Sequence, residues 1–213
     1  MIEQDTGRAP QLDLAQTDAT LLVFIKNPIL GKVKTRLART VGDAEALRIY
    51  HILLEKTRTA ALGTAARRWL FYSENIDPDD AWPETDFQKF VQQGDDLGTR
   101  MTDAFRQAFA TGAGRVVIIG SDCPELPGAA LNKAFALLKT HDFVLGPTPD
   151  GGYYLLGMRA FGPAVFENIA WSSESVRTAT MQTIASLGKS CALLPEYSDV
   201  DTEADWAAVQ GKF

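Results

Sequence analysis

Short apolar runs alternate with helical patterns of apolar residues along most of the chain. The segments TLLVFIK (20–26) and RVVIIG (115–120) are nearly uninterrupted apolar runs, which are typical of strands buried on both faces of a parallel sheet. Between them, apolar residues recur at helical spacing at Ala46, Ile49, Tyr50, Leu53 and Leu54. This alternation predicts an α/β fold with a mostly parallel central sheet and right-handed crossovers.

The same two patterns predict the remaining elements. Further strands are predicted at RRWLFY (67–72), FQKFVQ (87–92), DFVLGP (142–147), GYYLLGM (152–158) and SCALLPE (190–196). Further helices are predicted around Met101, Phe105 and Phe109, over 128–140 and 173–188, and after Thr202, which is a predicted N-cap. Ligands of open sheets bind beyond the carboxyl ends of the strands, so we expect the loops after 20–26, 115–120 and 142–147 to form the site.

Length and composition favour one domain. The chain has 213 residues, and no stretch approaches the roughly 18 uninterrupted apolar residues that a membrane helix needs. We expect residues 1–19, which lack the features of a signal or transit peptide, to form a flexible polar tail, and residues 20–213 to form the domain. Cys123 and Cys191 lie in unrelated contexts, which argues against disulfides and structural zinc and favours the cytoplasm.

A cluster of basic residues interrupts an acidic chain. The net charge of -6 argues against nucleic-acid binding, yet five cations fall close together at Lys26, Lys32, Lys34, Arg36 and Arg39. They lie in and around the loop KNPILGKVKTRLA (26–38), which follows the first predicted strand and suits phosphate groups. The spacing is neither that of a Walker loop nor that of a dinucleotide fold, and a solvated basic loop is the alternative interpretation.

A lone acid ends the strand at 115–120. Asp122 follows it in the segment SDCPELP, where it suits either a turn or a ligand of Mg²⁺ or Mn²⁺ that bridges a nucleoside diphosphate. A metal site there needs a second carboxylate from elsewhere in the chain. Separately, the segment SDVDTEADW (198–206) carries Asp199 and Asp201 two residues apart. Both of these acids could reach a cation, but the segment taken alone favours Asp199 as the cap of a turn.

The segment GPTPDGGYYLLG (146–157) offers candidate acceptor contacts. Asp150 precedes Gly151 and Gly152, which allow close approach of the backbone to a ligand, and Tyr153 follows. A hairpin turn explains Asp-Gly-Gly equally well. Trp171 is a candidate wall for an acceptor, with simple packing as its alternative role.

Five segments in this order and spacing carry a resemblance: FIKNPILGKVKTRLA, GDDLGTRMTDAF, IIGSDCPELP, LGPTPDGGYYLLGM and DVDTEAD. They closely resemble the bacterial DUF2064 family of candidate glycosyltransferases in the nucleotide-diphospho-sugar transferase superfamily. The resemblance runs from about Thr20 to about Trp206. It implies a GT-A-like (Rossmann-like) three-layer α/β/α sandwich with a mostly parallel central sheet.

The resemblance also implies roles for individual residues. Nucleotidyltransferases of the superfamily have a phosphate loop similar to the one that ends here in Thr35-Arg36, base contacts that match Gln93, Gly98 and Thr99, and a late acid that matches Asp201 and joins the strand-end acid on the metal. The implied nucleotide-binding set is Lys26, Lys32, Lys34, Thr35, Arg36, Gln93, Gly98 and Thr99. The implied metal ligands are Asp122 and Asp201, and many GT-A enzymes carry an Asp-x-Asp motif that is absent at 122.

These observations together predict a metal-dependent glycosyltransferase that moves a sugar from a nucleoside diphosphate sugar to a small acceptor. Asp150 is the predicted catalytic base, with Gly151, Gly152, Tyr153 and Trp171 at the acceptor. One alternative is a nucleotidyltransferase that joins an NTP to a phosphorylated small molecule and releases pyrophosphate. Another is a non-catalytic nucleotide-binding protein. No nucleic-acid partner and no membrane span are expected, and a homo-oligomer is compatible with the sequence.

Overall fold

The computed structural model describes residues 17–212 as one twisted sheet with helices on both faces. The strands are β1 Ala19–Ile25, β2 Arg67–Tyr72, β3 Gln88–Val91, β4 Arg115–Ile119, β5 Phe143–Pro147, β6 Tyr153–Met158 and β7 Cys191–Leu193. The helices are α1 Thr35–Val41, α2 Asp43–Leu62, α3 Leu97–Ala110, α4 Gly128–Leu137, α5 Val176–Ser186 and α6 Glu203–Val209. Short 3₁₀ turns occupy Pro163–Phe166 and Gln210–Lys212.

The strand order across the sheet is β3-β2-β1-β4-β6-β5-β7. All neighbours pair in parallel except β6, which runs antiparallel to both β4 and β5. The reversal follows from the short connection between β5 and β6, because a tight turn can join only antiparallel strands. The predicted mostly parallel sheet is confirmed, and Asp150, Gly151 and Gly152 lie in the turn of a hairpin.

Two apolar layers cover the two faces of the sheet. Strand residues such as Leu21, Val23 and Val117 pack with buried side chains of α1, α2, α4 and α6. Their neighbours Leu22 and Ile118 face the other way and pack with α3, α5 and the 3₁₀ turn at 163–166. Successive strand residues point to opposite faces, and both faces are apolar here, which explains the uninterrupted apolar runs in the sequence. The predicted three-layer α/β/α arrangement is confirmed.

Several local predictions can be compared with the structure. Thr202 caps α6 as predicted, and it forms a capping box with Asp205. The helix α1 was not predicted, because it is only seven residues long, overlaps the basic loop and carries no clear amphipathic repeat. Residues 1–16 of the predicted tail lie outside the described residues, so the tail and the domain boundary stay predictions. Within residues 17–212, no helix has the length and apolar character that crossing a membrane requires.

Candidate active site

A cleft of about 580 Å³ opens at the carboxyl ends of the central strands. Residues from four separate loops line its polar part: Lys26, Lys34, Thr35, Arg36, Ser121, Asp122, Thr148, Asp150, Gly152, Asp199 and Asp201. The loops follow β1, β4 and β5, and the last segment precedes α6. This is the edge at which the sequence predicted a site, and the fold brings these loops together there.

Lys34 lies at the centre of the polar part. Its side chain is only 5% exposed, and its Nζ lies 2.5 Å from Oδ1 of Asp122 and 3.2 Å from Oδ1 of Asp201. Burial opposes the charge of this ammonium, but the two carboxylates outweigh burial and raise the pKa of Lys34 above its usual value. Arg36 adds a second cation, with Nη1 3.4 Å from Oδ2 of Asp201. Lys34 therefore bridges two acids that are far apart in sequence.

The backbone of Lys34 is unusual. Its φ of 47° and ψ of 43° place it in the left-handed region immediately before α1. A non-glycine residue in this region costs of order 1 to 3 kcal/mol and persists only where surrounding structure holds it. The ion pairs with Asp122 and Asp201 are the interactions that hold this side chain.

A backbone hydrogen bond brings the late acids to the strand-end acid. The N–H of Val200 donates to the carbonyl oxygen of Asp122 over 2.9 Å, and the Val200 side chain is buried in the core. In an extended segment alternate residues point the same way, so burying Val200 turns Asp199 and Asp201 toward the cleft. Asp122 and Asp201 are thus brought together, and Asp199 joins them.

Asp199 is the most electrostatically perturbed acid of the site. Burial raises the pKa of its carboxyl to about 7, and the negative charges of Asp122, Asp201 and Asp150 add to the rise, while Lys34 opposes it. Three carboxyl groups thus share a small region with one buried ammonium. Lys34 and Arg36 balance the charges of Asp122 and Asp201, so ionisation of Asp199 is opposed unless a further cation binds nearby.

The donor set of this cluster fits a hard divalent cation. Carboxylate oxygens of Asp122 and Asp201 both lie close to one Nζ, so a single cation can reach both, and Mg²⁺ commonly takes one or two protein carboxylates plus substrate phosphates. Across residues 17–212, no group of three or more His, Cys, Asp or Glu side chains is arranged to hold a metal ion by itself. The arrangement suits a cation whose remaining ligands come from the substrate and water.

Tyr50 ties two of the loops together from beneath. Its Oη accepts a hydrogen bond from the N–H of Lys26 over 2.9 Å and donates to the Lys26 carbonyl over 3.1 Å. It also lies 3.2 Å from Oγ of Ser121. The sequence assigned Tyr50 to the core through its helical spacing, and the helical pattern alone gives no sign of this polar role.

Asp150, Gly152 and Tyr153, which were predicted to act on or contact the acceptor, all line the cleft. Oδ1 of Asp150 accepts hydrogen bonds from Thr148 Oγ1 over 2.5 Å and from the N–H of Gly152 over 3.1 Å, which fixes the hairpin turn. Asp150 and Gly152 line the cleft. Tyr153 also lines it, but its hydroxyl is buried and interacts with Thr180 on the far side of the ring. Tyr153 therefore offers the cleft its ring.

Trp171 lines the apolar part of the cleft on a loop that is fixed on two sides. A Cβ on Gly98 would lie 2.5 Å from Nε1 of Trp171, so only glycine at 98 lets the indole rest on the start of α3. A Cβ on Gly151, whose φ is +87°, would lie 2.1 Å from the carbonyl oxygen of Glu174. The close packing at Gly98 and Gly151 fixes the position of Trp171.

Four of the residues predicted to contact the nucleotide do not line the cleft. Lys32 is exposed and pairs with Glu74 over 3.4 Å. Thr99 forms a capping box with Asp96 at the start of α3, Gly98 packs on Trp171, and Gln93 is exposed while its neighbour Gln92 lines the cleft. The roles predicted for Lys32, Gln93, Gly98 and Thr99 stay predictions.

Comparison with other proteins identifies the family. A family model described as "Uncharacterized protein conserved in bacteria (DUF2064)" matches residues 56–173. The crystal structure of a candidate nucleotide-diphospho-sugar transferase from Desulfovibrio desulfuricans G20 is 36% identical in sequence, and the match covers 87% of this chain and 83% of that chain with a TM-score of 0.81. This chain is a DUF2064 protein. The predicted family is confirmed, and the predicted transferase class agrees with this relative.

More distant structures share the fold of this DUF2064 protein. A CMP:2-keto-3-deoxy-manno-octonic acid synthetase complexed with CTP is 12% identical, covers 91% of this chain and 97% of its own, and has a TM-score of 0.56. A cytidylyltransferase from Leptospira borgpetersenii serovar Hardjo-bovis is 14% identical, covers 92% and 88%, and has a TM-score of 0.57. At these identities the likeness shows the fold alone. No curated protein matches the sequence.

Asp199 was not among the predicted metal ligands of this DUF2064 protein. Asp199 was weighed as either a cation ligand or a turn cap, and the structure places it beside Asp122 and Asp201. The signal was the alternation Asp-Val-Asp, in which a buried residue between two acids turns both to one side. Cys123 behaves as a core residue, since burial raises the pKa of its thiol to about 12 and leaves no reactive thiolate at neutral pH.

Proposed function

We propose that this DUF2064 protein is a metal-dependent glycosyltransferase that uses a nucleoside diphosphate sugar and a small acceptor. The observation that carries the proposal is the meeting of the basic loop after β1 with Asp122, Asp199 and Asp201 in one cleft. Cations and carboxylates side by side suit a metal-bound diphosphate. The relative at 36% identity, itself a candidate nucleotide-diphospho-sugar transferase, supports the same class.

The polar part of the cleft would hold the diphosphate. Lys26, Lys34, Thr35 and Arg36 line it and supply cations and a hydroxyl for phosphate oxygens. Asp122 and Asp201 would hold Mg²⁺ or Mn²⁺, with Asp199 behind them. When bound, the divalent ion would neutralise charge on the departing diphosphate. The cations of the basic loop act on the same charge, which is largest when the leaving group departs.

The transfer itself needs one base and one oriented acceptor. The bond between the anomeric carbon and the diphosphate oxygen breaks, and its electron pair leaves with the nucleoside diphosphate. The acceptor hydroxyl oxygen forms the new bond to that carbon and gives its proton to Asp150, which lies at the lip of the cleft. The hydrogen bonds from Thr148 and Gly152 hold the Asp150 carboxylate in place for this role.

A panel assay tests the proposal. The protein is incubated with UDP-, GDP- and dTDP-sugars, Mn²⁺ and small hydroxylated acceptors, and the release of nucleoside diphosphate is measured. We expect release with one base, and at least a hundredfold loss in Asp122→Asn. Asp103→Asn is the matched control, because Asp103 pairs with Arg106 on the outer side of α3 and does not line the cleft.

Other outcomes of the panel would reject the proposal. Pyrophosphate release from an NTP and a sugar phosphate, without diphosphate release from any nucleotide sugar, would identify a nucleotidyltransferase instead. Binding of a nucleotide that is insensitive to Mn²⁺ and to Asp122→Asn, with no turnover, would identify a non-catalytic nucleotide-binding protein.

A further inference from the structure

The ammonium of Lys34 occupies the position between the two carboxylates that a metal would bridge. Its Nζ contacts Oδ1 of Asp122 over 2.5 Å and Oδ1 of Asp201 over 3.2 Å. A divalent cation on the same two oxygens would sit about 2.1 Å from each. The ammonium and a metal ion therefore cannot bind these two oxygens at the same time, because they would occupy the same space and both are positively charged.

Lys34 differs in this respect from the other cations of the basic loop. Lys32 and Arg36 have side chains that are 59% and 68% exposed, whereas that of Lys34 is 5% exposed. The ion pairs of Lys32 with Glu74 and of Arg36 with Asp201 involve exposed cations and are weak in water, so these two side chains can reach a phosphate at little cost. Lys34 can reach one only by leaving its carboxylates, which would then need another cation.

The Lys34 side chain has the means to move. Four rotatable bonds separate its Nζ from a backbone that the start of α1 fixes, so the ammonium can shift by several ångströms without a change of fold. It lines the same cleft as Lys26, Thr35 and Arg36, so a diphosphate held there would lie within its range. The two positions of the ammonium, on carboxylates and on phosphate, define two states of one site.

We propose that Lys34 is a tethered cation that holds the Asp122–Asp201 site until a divalent metal displaces it onto the diphosphate of the bound nucleotide. The inference rests on the proposed function in that it takes metal and diphosphate to bind in this cleft. It assigns Lys34 a positioning role beyond simple phosphate binding. It also implies that metal and nucleotide bind cooperatively, because each stabilises the state that the other prefers.

Mn²⁺ binding to the metal-free full chain tests this role. Free Mn²⁺ is measured by electron paramagnetic resonance for the wild type, Lys34→Met and Lys89→Met, with and without a nucleoside diphosphate. We expect Lys34→Met to bind Mn²⁺ alone at least tenfold more tightly than the wild type. We expect the nucleotide to strengthen Mn²⁺ binding to the wild type at least tenfold, and to strengthen it much less in Lys34→Met.

Lys89→Met is the matched control for loss of a buried lysine. The Lys89 side chain is 6% exposed and its Nζ lies 2.8 Å from Oδ1 of Asp80, away from the cleft. Its removal should lower the melting temperature without changing Mn²⁺ affinity. In Lys34→Met, saturating Mn²⁺ should raise the melting temperature by more than it does in the wild type. Lys34→Gln serves as the second variant if Lys34→Met does not fold.

The outcomes separate this inference from the proposed function. Equal or weaker Mn²⁺ binding by the Lys34 variants, or no Mn²⁺ binding by any form, overturns the role of Lys34. Transfer activity in the panel assay together with unchanged Mn²⁺ affinity in Lys34→Met would support the proposed function and reject the role of Lys34. Tighter Mn²⁺ binding by Lys34→Met in a protein that transfers no sugar would support the tethered cation and reject the transferase.

Discussion

Tyr50 shows how one hydroxyl in a helix can organise an active site. The ring is 1% exposed and packs in the core, while its Oη connects the loop after β1 to the loop after β4. These loops carry the cations and Asp122, respectively. The polar contacts of one buried side chain thus hold the two halves of the site at a fixed separation.

Removing this hydroxyl should weaken the fold. We expect Tyr50→Phe to lower the free energy of unfolding by about 1 to 2 kcal/mol, because the N–H of Lys26 loses its buried acceptor. Urea denaturation measures the change. Tyr72→Phe is the control, since Tyr72 is also 1% exposed but its Oη has no hydrogen-bond partner among the described residues. A loss in Tyr72→Phe equal to that in Tyr50→Phe would show that the contacts of Tyr50 contribute nothing.

Asp142 organises the structure at the level of the strands. It precedes β5, and its carboxylate accepts hydrogen bonds from Ser190 before β7 and from Arg159 after β6. The N–H of Asp142 donates to Ser190 Oγ over 2.9 Å in return. One side chain therefore fixes three strands at a common end. The hairpin that carries Asp150 lies at the opposite end of β5 and β6, between Pro147 and Tyr153.

The pH dependence of stability should reveal this contact. The hydrogen bonds from Ser190, together with Arg159, hold the pKa of Asp142 well below its usual value. A lowered pKa stabilises the fold above the unfolded pKa of about 4, and the stabilisation is lost as the pH falls below it. We expect Asp142→Asn to cost about 1 to 3 kcal/mol at pH 7 and much less near pH 2. Urea denaturation across this range checks it, and a loss that does not depend on pH would contradict it.

The whole molecule should respond to its ligands as a single unit. The cleft draws on loops from most of the sheet, so a ligand that binds there stabilises the entire domain. At 100 times its Kd, a nucleoside diphosphate with Mn²⁺ should add about 2.7 kcal/mol to the free energy of unfolding. Thermal unfolding with and without a chelator measures the effect. A shift that survives metal removal would contradict a metal-bridged diphosphate.

The amount that could be predicted from sequence depends on the distance over which residues interact. Apolar runs and helical spacing predicted the seven strands and five of the six helices, because these patterns are local. The hairpin direction of β6 was left open, since Asp-Gly-Gly suits both a turn and a ligand loop. The grouping of Asp122 with Asp201 came from the family resemblance, because nothing local to either acid indicates the other.

Side-chain contacts were the least predictable part. Lys34 reads as one of five similar cations in the sequence, and only the fold separates it from the exposed Lys32. Thr99 reads as a base contact by similarity, yet its hydroxyl also caps α3. The partners of Lys34 come from distant parts of the chain, whereas Thr99 forms a local hydrogen bond at the start of α3. The sequence pattern does not show which of these interactions forms.

The acids that Val200 turns toward the cleft are synthesised after every strand of the sheet. Lys34 and Asp201 are separated by 167 residues, so their contact joins the loop after β1 to the segment before α6. A ribosome that has released β1 to β7 has still not released the acids that complete the cleft. A chain cut short after Leu193 would therefore contain every strand of the sheet and lack two of its three clustered carboxylates. The site proposed for the metal would thus be complete only after Asp201 has been synthesised.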